Sequence, residues 1–310
     1  MPILVFGSLN MDLVAHTPRL PQPGETILGS SFLTTPGGKG ANQAVAAAKL
    51  GIPTQMVGRV GNDSFGQELL AALQAVGIET QGVLVDSEIH SGVAIITVSD
   101  RGENEIIGVF GANGRVDATD VERLQPLLSG VDALMLQFEI PLVAIQAAAQ
   151  TAHNAGVKVL FDPAPVQTRD LADLYPFVDY LLPNEIEAAQ LVGFTVHDPE
   201  TAQQAAIALQ QQGVNTVVIK LGAKGAFCLS PEESFFVPAF KVEAIDTVAA
   251  GDAFAGGFAA AIVEGRSLRE AVTWGNAAGA LAATKRGAQA AMSDRATFDT
   301  FLQNFQQQEL

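Results

Sequence analysis

Two glycine-rich turns carry the residue types best suited to chemistry. The first is GGKGAN, Gly37 to Asn42, which runs into an alanine-rich stretch. Glycines placed before a helix let the backbone approach a polar ligand, and the helix start offers free N–H groups carrying about +0.5 of a charge. The turn is no Walker A loop, because Gly40 stands where that motif needs Ser or Thr and its leading glycine is missing. The second is DTVAAGDAFAGGF, Asp246 to Phe258, where two carboxylates six residues apart flank a small-residue turn that opens a helix. Such a turn gathers N–H groups at one point, which suits the oxygens of a transferring phosphoryl group. Asp252 is placed to accept the proton of an attacking hydroxyl. Helix capping is the competing role for both Asp246 and Asp252.

Other polar residues have similarly double readings. Asn10 and Asp12 follow an apolar run, where a turn role is common. Glu139 precedes Pro141 and a helical stretch, whose positive end it would favour. Asn184 and Glu187 have capping-box spacing after Pro183. His16, His90, His153 and His197 are scattered and show no metal-ligand spacing, and Cys228 lies in a β-rich run as a core residue would.

The elements that position these residues alternate between short apolar runs and amphipathic helices, which predicts helices packed on a mostly parallel sheet. Ile3–Phe6, Ala133–Gln137, Val157–Phe161, Tyr180–Leu182 and Thr216–Ile219 are the expected buried strands. A helix is expected over Ser64–Val76, stopped by Gly77, and capping boxes are expected at Thr119/Glu122 and Ser267/Glu270. Leu13–Thr17 with Thr26–Thr34, and Gly92–Val98 with Glu105–Phe110, lack intervening helices. They predict a small antiparallel sheet that acts as a lid or a dimer contact. The Gln-rich end, Gln303–Gln308, is expected to fray.

With 48% hydrophobic and 16% charged residues, the 310-residue chain has ample material for a large core and is no disordered sequence. A net charge of −16 argues against nucleic-acid and anionic-membrane partners. An anionic substrate would need local donors to overcome that field. The single cysteine, the absence of a signal-peptide layout and the absence of a spanning apolar run fit a cytoplasmic protein.

GGKGANQAVAAAKLG followed by VGRVGNDSFG, together with DTVAAGDAFAGGF, resembles the two signature regions of the PfkB carbohydrate kinases, and within them the ribokinase group. GSLNMD, QFEIP, NEIE, KLGAKG and TKRGAQ extend the resemblance over nearly the whole chain. It implies a ribokinase-like three-layer α/β sandwich over residues 1–310, with a mostly parallel sheet and a β-sheet lid inserted at about 12–35 and 91–111. It also implies phosphoryl transfer from ATP, with Mg²⁺, to the terminal hydroxyl of a pentose such as D-ribose. Asn10, Asp12, Gly38, Lys39, Asn42 and Glu139 would bind the sugar. Asn184, Lys220, Gly222, Gly225, Gly251 and Asn276 would bind ATP, with Glu187 holding Mg²⁺ through water. Ala249, Ala250 and Gly251 would form an anion hole beside the base Asp252.

A monovalent cation, usually K⁺, would sit against Asp246 and the carbonyls of Val248, Ala282, Lys285 and Gly287. Two positions depart from the pattern: Ala291 stands where a serine is common, and Lys220 where a threonine is. Deoxyribose, fructose or a nucleoside are the alternative substrates, and a non-catalytic sugar- or nucleotide-binding regulator is the alternative from another class. Retention of Asp252 and the AAG turn speaks against the regulator. Ile95, Ile96, Ile106 and Ile107 would give the lid an apolar face for a homodimer.

Overall fold

The computed structural model describes residues 2–168 and 170–306. In chain order its strands are β1 (Ile3–Phe6), β2 (Asn10–Thr17), β3 (Ser31–Gly37), β4 (Thr54–Gly61), β5 (Glu79–Asp86), β6 (Gly92–Ser99) and β7 (Asn104–Val109). They continue as β8 (Ala133–Gln137), β9 (Lys158–Asp162), β10 (Tyr180–Leu181), β11 (Thr216–Lys220), β12 (Gly225–Leu229) and β13 (Ser234–Pro238). The helices are α1 (Lys39–Lys49), α2 (Ser64–Ala75), α3 (Ala118–Leu124), α4 (Leu142–Asn154) and α5 (Glu185–Val192), then α6 (Pro199–Gln211), α7 (Ala250–Val263), α8 (Leu268–Ala283) and α9 (Arg295–Gln306).

One sheet runs in the order β13-β12-β11-β10-β9-β8-β1-β4-β5, parallel from β11 to β5 and antiparallel at β12 and β13. Every residue of β1, β8 and β11 is buried, as continuous apolar runs require when helices cover both faces. Residues of α1, α7 and α8 pack on one face, and residues of α4, α5 and α6 on the other, giving three layers. The expected buried strands of this sheet are present within a residue at their ends. No helix among the described residues is long and apolar enough to cross a membrane.

β3-β2-β6-β7 form the separate small sheet. It is not wholly antiparallel as expected, because β2 and β6 pair in parallel over Asn10–Thr17 and Gly92–Ser99. The reason is topological: β2 follows β1 and β6 follows β5, and those two strands run the same way in the main sheet. β2 begins at Asn10, three residues before the expected Leu13, and β3 runs Ser31–Gly37 in place of Thr26–Thr34. α2 ends with Val76 as its cap and Gly77 at φ 80°, as the sequence predicts.

The Ser267/Glu270 capping box is present, but the box of α3 belongs to Asp117 and Asp120, not to Thr119 and Glu122. The guanidinium of Arg59 fixes that choice, lying within 3.0 Å of both Asp120 oxygens and of Asp117 Oδ1. α9 holds Gln303–Gln306 in helix, in place of the fraying expected there, while 307 and 308 lie outside the described residues.

α1 and α7, which carry the two glycine-rich turns, cross in close contact. A Cβ on Gly256 would lie 2.4 Å from Ala46 Cβ and 3.0 Å from Ala47 N. The missing side chain lets the two helices pack this closely.

Candidate active site

α7 starts from a strained residue. Its cap Ala249 sits at φ 56°, ψ 11°, a left-handed conformation that costs a non-glycine residue roughly 1–3 kcal/mol. The N–H of Ala250 donates to Thr247 O at 3.2 Å. Among the described residues no protein group accepts from the N–H of Ala249 or Gly251. Two of the three proposed anion-hole donors are therefore free, and the third is engaged within its turn. Donors of this kind at a helix start favour an anion.

Asp252 lies in the first turn of α7 and is buried. Its Oδ2 accepts from Asn42 Nδ2 at 3.0 Å and its Oδ1 from Gln43 Nε2 at 3.2 Å. Lys39 Nζ stands 3.9 Å from Oδ1. Helix capping is not its role, since Ala249 is the cap and α7 has no side-chain cap bond. Gln43 Nε2 also donates to Asp162 Oδ2 at 2.9 Å, and Gln43 Oε1 accepts from Gln137 Nε2 at 2.7 Å. One amide thus spans two buried carboxylates.

Asp162 ends β9 buried at the wall of the cleft, with Lys220 Nζ 3.3 Å from Oδ1. Burial pushes its carboxyl above the usual range, and the Lys220 ammonium pulls it partly back. Burial alone would lower the Lys39 ammonium. The carboxylates of Asp252, Asp162, Glu139 and Glu187 overturn that and hold it firmly protonated.

On one side of Asp252 lie the residues expected to bind sugar. Glu139 Oε2 accepts from Lys39 N at 3.0 Å, from Asn10 Nδ2 at 3.4 Å, and from Ser8 Oγ. The carboxylate thus serves the positive end of α1, not the helix that follows it in sequence. Gly38 holds φ 88° with its Cα so near Asn10 that an added Cβ would lie 2.7 Å from Asn10 N. Gly37 is as close to Asp12, which is buried. Burial first, then the charges of Glu139 and Asp252, push the Asp12 carboxyl up to about 7.

On the other side opens a cleft of about 610 Å³ whose lining includes Asn184, Glu187, Lys220, Gly222, Gly225 and Asn276, and which reaches Gly251, Asp252 and Lys39. Asn184 and Glu187 do form the capping box of α5, with Glu187 Oε2 accepting from Asn184 N at 2.8 Å. Capping and cleft lining coincide in the same pair. Asn276 Nδ2 donates to the Val237 and Pro238 carbonyls at 3.1 and 3.3 Å, so its amide braces the cleft wall.

Asp246 stands apart from that cleft. Its Oδ1 accepts from Val248 N at 3.0 Å and its Oδ2 from Gly287 N at 2.9 Å, so it ties the loop before α7 to the loop after α8. Ala282 O already accepts from Lys285 N at 3.1 Å, the exposed Lys285 Nζ lies 3.2 Å from Ser293 Oγ, and Ala291 is fully buried. Among the described residues no group of three or more His, Cys, Asp and Glu side chains is placed to hold a metal ion by itself.

Sequence reasoning did not single out Ser8, Gln43, Gln137 and Asp162. Asp162 left a usable signal, because a carboxylate at the C-terminal end of an apolar parallel strand lies where α/β sheets bind ligands.

This geometry has close counterparts. Haemophilus influenzae ribokinase is 40% identical over 303 residues, covering 97% of this chain and 98% of that protein. Salmonella typhi deoxyribokinase is 35% identical over 303 residues, covering 97% and 99%. The structure of Arabidopsis thaliana ribokinase complexed with ribose and ATP superposes with a TM-score of 0.89 at 34% identity, covering 97% of this chain and 98% of that one. The model of the pfkB family of carbohydrate kinases matches residues 2–295, and with the two converging turns, the cleft and the lid sheet all in place the chain belongs to that family.

Proposed function

We propose that the protein transfers the γ-phosphoryl group of ATP to the terminal hydroxyl of D-ribose, giving ribose 5-phosphate and ADP. The observation that carries this reading is the position of Asp252, which lines the large cleft, accepts from Asn42 and stands beside the free N–H groups of Ala249 and Gly251 and near the Asn10–Asp12–Glu139 group. A hydroxyl held by Asn10, Asp12, Asn42 and Glu139 gives its proton to the Asp252 carboxylate as its oxygen bonds to the γ-phosphorus. The bond to the β-γ bridging oxygen breaks, and ADP leaves with that electron pair. Lys39, Lys220 and the start of α7 oppose the negative charge on the phosphoryl oxygens. The lid sheet excludes water that would otherwise be the acceptor.

The oxygen donors at the cleft, Glu187 and Asp162, suit a hard divalent cation, and too few side chains gather there for an all-protein cage. That is the arrangement Mg²⁺ takes when it keeps waters and binds phosphate oxygens, and Mg²⁺ would neutralise charge on those oxygens. Asp246, bracing two loops, supports a K⁺ site there with the carbonyls of Val248, Ala282, Lys285 and Gly287, completed by water beside the apolar Ala291. The relationship to a deoxyribokinase keeps deoxyribose as the second substrate to test.

ADP formation measured with ribose, deoxyribose, fructose and adenosine, with and without K⁺, tests the reading. Preference for ribose with stimulation by K⁺ is expected. Preference for another sugar moves the substrate, and no turnover by folded protein that binds ATP returns the regulator alternative.

The Asp12 carboxyl gives a pH signature. In this reading the sugar hydroxyl donates to the ionised Asp12 carboxylate, the stronger acceptor, and burial pushes that carboxyl up to about 7 in the free protein. The value of kcat/KM for the sugar should therefore fall about tenfold per pH unit on the acid side of that value. Asp12→Asn should remove that limb along with much of the activity. A profile flat from about pH 7 to pH 5 contradicts the assignment.

The four isoleucines expected to share one lid face divide between two, Ile95 with Ile107 on one and Ile96 with Ile106 on the other, and Ile96 is half-buried; Phe32, Ile95, Ile106, Ile107 and Val109 are exposed. An apolar sheet of that kind supports pairing with a second copy into a homodimer. Sedimentation at micromolar concentration should give twice the chain mass, and a monomer would count against the pairing.

A further inference from the structure

Asn113 lies in the 3-10 turn Gly111–Arg115 through which the chain leaves the lid after β7, and it belongs to none of the motifs that mark the site. It is fully buried. Its Oδ1 accepts from Leu9 N at 3.0 Å, and its Nδ2 donates to Leu9 O at 3.0 Å. The side chain thus pairs with Leu9 as a neighbouring strand would.

A third bond bears on recognition. Asn113 Nδ2 also donates to Asn10 Oδ1 at 2.7 Å. With Oδ1 occupied, Asn10 turns Nδ2 towards Glu139, 3.4 Å away. A flipped Asn10 would set its oxygen against the Glu139 carboxylate and its N–H groups against the Asn113 donor, losing both bonds. β6 closes over the pair, since a Cβ on Gly92 would lie 2.2 Å from both Asn10 Oδ1 and Asn113 Nδ2.

We propose that Asn113 is a positioning residue for sugar recognition, fixing Asn10 as an N–H donor towards a sugar oxygen and tying that choice to the base of the lid. This rests on the reading that Asn10 binds the sugar.

A double-mutant cycle tests it. Asn10→Ala, Asn113→Ala and the double variant are assayed with D-ribose, or with whichever panel sugar the wild type turns over fastest. Asn113→Ala should raise KM for the sugar about tenfold with KM for ATP little changed. In the Asn10→Ala background the same substitution should add almost nothing, because its target is gone. If Asn113→Ala fails to fold in a urea melt, Asn113→Asp replaces it, keeping an acceptor for Leu9 N while removing the donor to Asn10.

An unchanged sugar KM, or a rise as large in the Asn10→Ala background as in the wild type, would overturn the proposal while leaving the function in place. Asn10→Ala with wild-type sugar KM would instead overturn the assignment of Asn10 and this inference with it.

Discussion

Asp252→Asn should lower kcat by about 10²–10⁴-fold and leave the fold intact. The substitution keeps the size of the side chain and removes its basicity. Its structural cost is small for a specific reason. Asn42 and Gln43 both donate to Asp252, so one of them would face the new amide N–H₂. Asn42 Oδ1 is buried without a partner, and a flip of the Asn42 amide presents that oxygen to the new donor. Steady-state kinetics with ADP binding and a thermal melt check both halves of the expectation. Near-normal turnover from folded protein would remove Asp252 from the role of base.

Lys220→Met should have the largest effect on stability, together with a raised KM for ATP. Lys220 is the cation that faces Asp162, a buried carboxylate at the wall of the cleft. Removing one partner of a buried pair costs about 3–5 kcal/mol, less whatever protonation relieves. Burial already raises the Asp162 carboxyl, so the variant takes up a proton at low pH. The sign follows from linkage: a carboxyl whose folded-state pKa exceeds its unfolded value binds more protons when folded, and stability falls as pH rises above the unfolded value. Urea unfolding should therefore show a larger loss at about pH 8 than at about pH 5. Asp162→Asn in the Lys220→Met background should recover most of it, because the introduced amide is uncharged and its oxygen can still accept from Gln43. Equal stability of Lys220→Met and wild type at the higher pH would show that the pair carries no such weight.

The parts of the site that lie along a short stretch of chain were the legible ones. The turn before Asp252 announces itself through AAG and a helix start without bulky side chains, and Asn184 with Glu187 through cap spacing. The strands were readable because burial on both faces leaves unbroken apolar runs. What sequence could not supply is set by distant pairs. Gln43 meets Asp162 across 119 residues, and no local pattern predicts which buried amide will bridge two carboxylates. The stretch DATDVE offers two overlapping capping boxes, and only Arg59, brought in by β4, selects the one headed by Asp117. The parallel pairing of β2 with β6 follows from where two main-sheet strands exit, which residue types do not encode.

The most direct test of the account is the identity of the product. Wild-type protein is incubated with Mg·ATP and D-ribose, and the position of the new phosphate is read by ³¹P–¹H correlation in NMR. ADP and ribose phosphorylated on the primary C5 oxygen should form in equal amounts. Phosphate on another ribose oxygen, or ATP converted to ADP and inorganic phosphate alone, would contradict it.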